Sequence, residues 1–399
     1  MSNVLWSYVW LAYAGLFVLG FSDNLRGPFF AEIIESFQLS DTLASLIFAI
    51  PSFFAFVGSR WAQNIIQIMG SLGALRLGVI FLSFGFCGLA LSFSTLWLYL
   101  FCAIFGLGLG VTSVSSHVLI QEGVKSSLRR RIFAGLHSMY SLASLLAPTV
   151  SSLVFFLGGG WRWGFATVGG VGSLVLAGSF LIKKSKSSNV KSAEHLSKPD
   201  SEPDQTKVLY LYSLFVSFYL IGELILTSRM VLYLRRDYHL SATEAPFYLS
   251  AFFLLLFVGR LLFTFFSWQK FSNAKLITAG LILSSITMFL GLFIHPVFLS
   301  ITGFFLAPLM AIAMEYISEN FSSFWAAKGV SLSFAVSALF VVAMHFSVGV
   351  LTDEWGLRQA LLVGPFSHLV ALFVFLCFHL KVLPKSKVKS LNSSFIEAQ

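Results

Sequence analysis

Charged side chains are scarce in this chain: Asp, Glu, Lys and Arg make up 11% of its 399 residues, against about 25% in a typical soluble domain. That shortage excludes a water-soluble globular protein, because too few polar groups remain to cover a folded surface. Cysteine is rarer still. Cys87, Cys102 and Cys377 all lie inside apolar stretches without metal-ligand spacing, which excludes a disulfide framework and a thiolate metal site. A catalytic triad, a zinc motif and a nucleotide loop are also missing. Gly106-x-Gly108-x-Gly110 sits within an apolar stretch with no strand before it, so it reads as small residues that let a membrane helix pack closely or bend. No resident cofactor or metal is expected, and neither enzymatic nor ATP-driven activity has a motif to support it. The net charge of +9 does not point to nucleic acid, since the basic residues lie in short loops with no stripe along one face.

What the chain has in abundance is apolar length. Hydrophobic residues make up 57%, Phe alone contributes 45, and the mean hydropathy is +0.85. A helix needs about 20 apolar residues to cross the hydrocarbon core, and only structures that satisfy their own backbone can do so. Twelve stretches qualify, at 6–30, 43–62, 72–93, 97–120, 130–157, 161–182, 208–233, 245–268, 274–294, 297–317, 325–351 and 357–381. The first has neither a charged leader nor a small-residue cleavage site, so Trp6–Gly20 reads as a span and not a signal peptide. The predicted fold is an all-α membrane protein of twelve transmembrane helices in two pseudo-symmetric six-helix bundles. Residues 1–182 form the first bundle, 183–207 a Lys/Ser-rich linker, 208–382 the second bundle and 383–399 a tail.

Charge sets the orientation. With the N-terminus inside, 20 Lys and Arg fall on the cytoplasmic side, leaving Arg26, Arg162, Arg229, Arg235, Arg236 and Arg358 on the other. Basic residues mark the cytoplasmic side, so both termini and the linker are predicted there, in a multi-pass protein of a cell membrane such as a bacterial inner membrane. The sequons at Asn320 and Asn392 fall on that side and are discounted. The halves also repeat. Phe56-Val57-Gly58-Ser59-Arg60 ends the second span and Phe257-Val258-Gly259-Arg260 the eighth; Trp161-Arg162-Trp163-Gly164 opens the sixth and Trp355-Gly356-Leu357-Arg358 the twelfth. Matches at one offset support duplication of a six-helix unit, the architecture of carriers that rock one half against the other.

On these residues the chain resembles the major facilitator superfamily over essentially its whole length. Ala62 stands where that superfamily's loop signature has Asp after Gly58, and Ala147-Pro148-Thr149-Val150 departs from the efflux-type motif of the fifth span. The first half is most similar to the fucose:proton symporter group. Gly20-Phe21-Ser22-Asp23-Asn24 matches the segment that carries the group's proton-accepting Asp, and His137 and Tyr140 align with polar residues of its fifth span. The group's fourth-span Glu is Ser113 here. The resemblance implies a secondary carrier without cofactor, working as a monomer in the lipid bilayer and moving a small polar solute together with protons.

Ionisable groups inside a span are costly and therefore functional suspects. They are Asp23, Arg26, His117, His137, Glu223, Arg229, His345 and His368. Asp23 and Arg26 stand i,i+3 on one helix and can pair. Asp23 and Glu223 are the candidate proton-coupling acids, and Arg26, His117, His137, Tyr140 and Glu223 the candidate solute contacts. Arg229 reads either as functional or as an anchor reaching the outer interface; His345 and His368 are weaker candidates. Arg60 with Glu122, and Arg260 with Glu315 or Glu319, are candidate pairs for an inner gate. The expected activity is proton-coupled uptake of a sugar-like solute. The alternative within transport is efflux of an amphipathic compound, and outside it an integral membrane enzyme or sensor.

Overall fold

In hydrocarbon the backbone has no water to bond, so each apolar stretch closes its own hydrogen bonds as a helix. The computed structural model describes residues 4–182, 203–265 and 271–396. Among these the chain is helical nearly throughout, and the one β-bridge joins Val4 to Val124. Most of the expected linker and the last three residues of the tail lie outside the described residues.

The first half runs through α1 (Trp6–Leu25), α2 (Phe30–Phe37), α3 (Asp41–Ala90), α4 (Thr95–Gly123), α5 (Ser126–Phe156) and α6 (Trp161–Ser179). The second runs through α7 (Thr206–Asp237), α8 (Ala245–Phe265), α9 (Asn273–Phe293), α10 (Val297–Leu306), α11 (Leu309–Asn320), α12 (Ser323–Trp355), α13 (Leu357–Leu361) and α14 (Val363–Ile396). The twelve-helix architecture of the sequence stands, with three differences of detail. The first span ends at Leu25, not near residue 30, because Gly27-Pro28 interrupts it: Pro28 has no N–H to continue the ladder. Spans two and three join as α3 through Gly70, whose φ of 77° a glycine adopts at no steric cost. The tenth span is broken between α10 and α11 at Pro308. Among the described residues, nine helical stretches are long and apolar enough to cross a membrane, the 50-residue α3 counting once.

By contact the described chain divides into two compact units that do not follow the sequence halves. The first holds the described part of 1–191 with Thr227–Phe253 and Val342–Ala360; the second holds the rest. In the first, α4 lies against α3 along its small residues. A Cβ on Gly106 would stand 2.6 Å from the Pro51 carbonyl oxygen, one on Gly108 2.7 Å from the Leu82 nitrogen, and one on Gly110 2.2 Å from the Ala55 carbonyl oxygen. The glycine run read from the sequence is thus a backbone-to-backbone packing seam. Phe29, Phe86, Phe105 and Phe165 fill the space beside it, ring on ring at 4.8 to 6.0 Å. In the second unit, Tyr212, Phe215, Tyr316, Phe375 and Phe378 form the corresponding aromatic core. Edge-to-face ring pairs of this kind add modestly to the area they bury.

Parts of α7, α8 and α12 belong to the first unit, and α7 and α12 are tied to α2 and α3 by polar contacts. Arg235 pairs with Glu32, Arg236 with Asp41 at 2.9 Å, and Arg358 with Asp237 at 3.3 Å. Asp353 accepts from the backbone N–H of Asp41 and of Thr42, each at 2.8 Å, so a carboxylate caps the positive N-terminus of α3.

Candidate functional site

The last turns of α1 carry the chemistry of the first unit. Asp23 and Arg26 face the same way, three residues apart, and Arg26 Nη2 bonds Asp23 Oδ1. Arg26 also donates from Nη1 to the Ile47 carbonyl at 2.9 Å, and its guanidinium carbon lies 5.0 Å from the ring centres of both Phe48 and Phe105. Only 6% of the Arg26 side chain is exposed, against 29% for Asp23. The carboxylate is therefore the accessible end of a pair whose cation is anchored in the bundle. Its second oxygen accepts from the Tyr140 hydroxyl on α5 at 3.1 Å. Asn24 Nδ2 reaches Ser144 Oγ at 2.9 Å and Tyr140 Oη at 3.4 Å.

His137 precedes Tyr140 by one turn of α5, and its ring centre is 5.3 Å from that of His117 on α4. His117 donates from Nδ1 to the Ser113 carbonyl at 2.7 Å, which leaves Nε2 as the nitrogen free to accept in the neutral ring. The four first-half solute candidates, Arg26, His117, His137 and Tyr140, thus gather with Asp23 on facing stretches of α1, α4 and α5. Such a row has an acid, a phenol, an amide and two imidazoles. It can bind hydroxyls or a charged group and can hold a proton at more than one atom.

Glu223 belongs to the second unit. Its Oε2 accepts from the Tyr219 hydroxyl at 2.6 Å on the same helix. The buried Tyr219 ring stacks on that of His368, 6.3 Å away and tilted by 19°. His368 Nδ1 bonds Ser284 Oγ at 3.0 Å, and its Nε2 has no partner. A Cβ on Gly222 would stand 2.1 Å from that nitrogen, so glycine there makes room for the imidazole.

Of the expected inner-gate residues, Arg60 and Glu122 take other partners. Glu122 accepts from Ser71, while Arg60 lies over the Phe56 ring at 5.9 Å, so Arg60 and Glu122 are not an ion pair in this structure. One side chain on α4 bonds a neighbour across the seam with α3, and the other folds along its own helix. Arg260 donates to the Ala307 carbonyl at 3.4 Å, and Glu319 accepts from Asn273 at 2.9 Å. Arg229 also departs from its anchor reading: it is 2% exposed and turns inward, donating to Ser45 Oγ at 2.7 Å. The polar ties Glu32–Arg235, Asp41–Arg236 and Asp353 were not singled out by the sequence. Their signal was available in Arg235-Arg236 at the end of α7, which would have needed the acids at 32 and 41 to be matched to it across some 200 residues.

The model of the Major Facilitator Superfamily matches residues 12–333, well over half of the chain. The chain belongs to the Major Facilitator Superfamily. A Protein TsgA homolog of Buchnera aphidicola subsp. Baizongia pistaciae is 23% identical over 336 residues, 80% of this chain and 81% of that protein. Bypass of stop codon protein 6 of Saccharomyces cerevisiae is 23% identical over 384 residues, 86% of this chain and 76% of that protein. Among solved structures, a D-xylose-proton symporter superposes with a TM-score of 0.78 at 16% identity, covering 93% of this chain and 97% of that one. At that identity the likeness is one of fold. This member of the superfamily is accordingly a multi-pass membrane transporter, and the family assignment made on the sequence stands.

Proposed function

We propose that the protein is a proton-coupled symporter for a small polar, sugar-like solute, taking it up by alternating access, with both termini on the cytoplasmic side. The observation that carries the reading is Asp23: a carboxylate inside a span, part exposed, held between a buried cation and a phenol. Ionised, Asp23 is closed off by its bonds to Arg26 and Tyr140. Protonated, it releases Arg26 Nη2 for a solute group, so proton and solute binding support each other and the carrier crosses loaded with both. Tyr140, Asn24, His117 and His137 supply the donors and acceptors that a hydroxylated solute requires. Glu223, which accepts from Tyr219 within the second unit, is the second candidate for proton and solute binding. The superposition on a D-xylose-proton symporter agrees with this reading in fold.

Proteoliposomes test it. Asp23→Asn imitates the protonated acid and is expected to keep counterflow exchange while losing uphill accumulation driven by a pH gradient. Accumulation by the Asp23→Asn carrier equal to that of the unaltered protein would remove Asp23 from the coupling step.

A further inference from the structure

A second cation lies against the same ring as Arg26 without an ion pair of its own, and Asp41, the carboxylate whose charge acts on it, is already paired with Arg236. The guanidinium carbon of Arg229 stands 4.8 Å from the Phe48 ring centre and 4.3 Å from that of Phe30; that of Arg26 is 5.0 Å from Phe48. Arg26 has Asp23. Arg229 makes none of the ion pairs among the described residues: Nη2 donates to the neutral Ser45 hydroxyl, and Nη1 is buried with no hydrogen-bond partner. His345 stacks on Phe48 at 5.2 Å, and its buried Nδ1 also has no partner. All these residues belong to the first unit.

A buried guanidinium without an anion is expensive, and breaking or omitting a counter-charge costs far more than a buried pair gains. Anchoring α7 on α3 does not explain the arrangement, because Ser45 could be held by a neutral donor. Two cations beside one ring, one carboxylate and two unused polar atoms leave a site with excess positive charge. We propose that Arg229 and Arg26 together hold an anionic group of the solute, a carboxylate or phosphate that Arg's forked donors fit, so the sugar-like cargo is an acid. This rests on the transport reading above and names its substrate class.

The solute enters at Asp23, the exposed member. Protonation of Asp23 releases Arg26 Nη2 and removes the only negative charge of the trio, so proton and anion binding support each other. The groups facing Asp23 are Arg26 on its own helix and Tyr140 on α5, with His137 and His117 farther along that face. Arg229 and His345 share the Phe48 ring with Arg26, and Asp41, paired with Arg236, is the further charge acting on Arg229. One proton carried with one monoanion moves no net charge.

The test uses the purified full-length protein in nanodiscs and thermal unfolding against pairs of probes that differ in one anionic group. Glucuronate is set against glucose, gluconate against sorbitol, and glucose 6-phosphate and small mono- and dicarboxylates against their neutral analogues. At least one anionic member is expected to raise the unfolding temperature where its neutral analogue does not, more strongly at acid pH. Arg229→Gln should weaken that binding by about tenfold to hundredfold, the worth of a hydrogen bond to a charged group. Arg229→Lys, which keeps the charge and secures the comparison if the Gln form folds poorly, should retain part of it. Stabilisation by neutral members alone, no stabilisation by any probe, or anion binding unchanged in Arg229→Gln would each overturn the proposal and leave Arg229 as a helix anchor. Proteoliposome uptake separates the two readings. Anion binding without pH-driven accumulation sinks proton coupling only; pH-driven accumulation of a neutral solute sinks the anion site only.

Discussion

The Tyr140 hydroxyl donates to the one oxygen of Asp23 that Arg26 leaves free. Asp23 is therefore held from two helices at once, by a cation on its own α1 and by a neutral phenol on α5. The division matters for transport. Arg26 is buried and fixed by the Ile47 carbonyl, whereas Tyr140 shares its hydroxyl with Asn24 and can exchange Asp23 for a solute group at little cost.

Tyr140→Phe should therefore separate binding from coupling. Loss of one neutral hydrogen bond is worth about 0.5–1.5 kcal/mol, so solute affinity in counterflow exchange should fall by roughly twofold to tenfold. Uphill accumulation should persist, because the acid and its cation remain. A Tyr140→Phe carrier that exchanges normally but no longer accumulates would instead make the phenol part of the proton path.

At the N-terminus of α3 the contacts with α7 and α12 differ in kind. Arg236–Asp41 is a partly exposed ion pair, worth about 0–1 kcal/mol. Asp353 makes two charge-assisted bonds to a helix N-terminus, which are stronger. Arg236→Ala should open this end no more than about fivefold, and Asp353→Ala by more. A cysteine at Ser40 labelled by an impermeant maleimide reads the difference. Equal labelling rates in the two variants would assign the closure to apolar packing.

Much of this was legible in the sequence, for physical reasons. A span announces itself by twenty apolar residues, and an acid within one stands out, so the twelve helices and the Asp23–Arg26 pair could be read directly. Partners distant in sequence could not. Arg229 stayed open between a functional role and an interfacial anchor because its place near a span end is the same whether the side chain points to headgroups or to Phe48. Arg60 and Glu122 looked complementary by charge and topology, yet Ser71, adjacent to the turn at Gly70, takes the carboxylate. One-dimensional charge patterns do not say which neighbour is nearer.

Glu32 gives the contact between α2 and α7 a pH dependence opposite to that of a simple ion pair. Burial holds its carboxyl above the usual carboxylate range, against the pull of Arg235 and with Glu35 adding to the rise, and Oε2 has no partner. In the opened form Glu32 meets water and returns to its ordinary value. Between the two values the closed form keeps a proton that the open form loses, so acidification through that window favours closure and rising pH favours opening. Glu32→Gln should slow labelling at Ser40 at neutral pH and flatten its pH profile, although it deletes an ion pair. Faster labelling of Glu32→Gln would show that the attraction to Arg235 dominates.

The α3–α4 seam offers a controlled comparison between two glycines in membrane helices. At Gly110 an added methyl meets the Ala55 carbonyl oxygen at 2.2 Å and the Ser59 nitrogen at 2.5 Å, backbone atoms that no rotamer change can withdraw. At Gly170 on α6 a Cβ would find nothing within 4 Å. Overpacking costs about 1–3 kcal/mol, while alanine gains about 0.5–1 kcal/mol over glycine in a helix interior. Gly110→Ala should thus lower the unfolding temperature of the purified protein and Gly170→Ala should leave it unchanged or raise it. Because His117 follows Gly110 by two turns of α4, forcing α4 off α3 also shifts it relative to His137, and counterflow exchange should fall with stability. If Gly110→Ala matches Gly170→Ala in both measurements, the seam is looser than these distances require, and close backbone packing is not what positions His117.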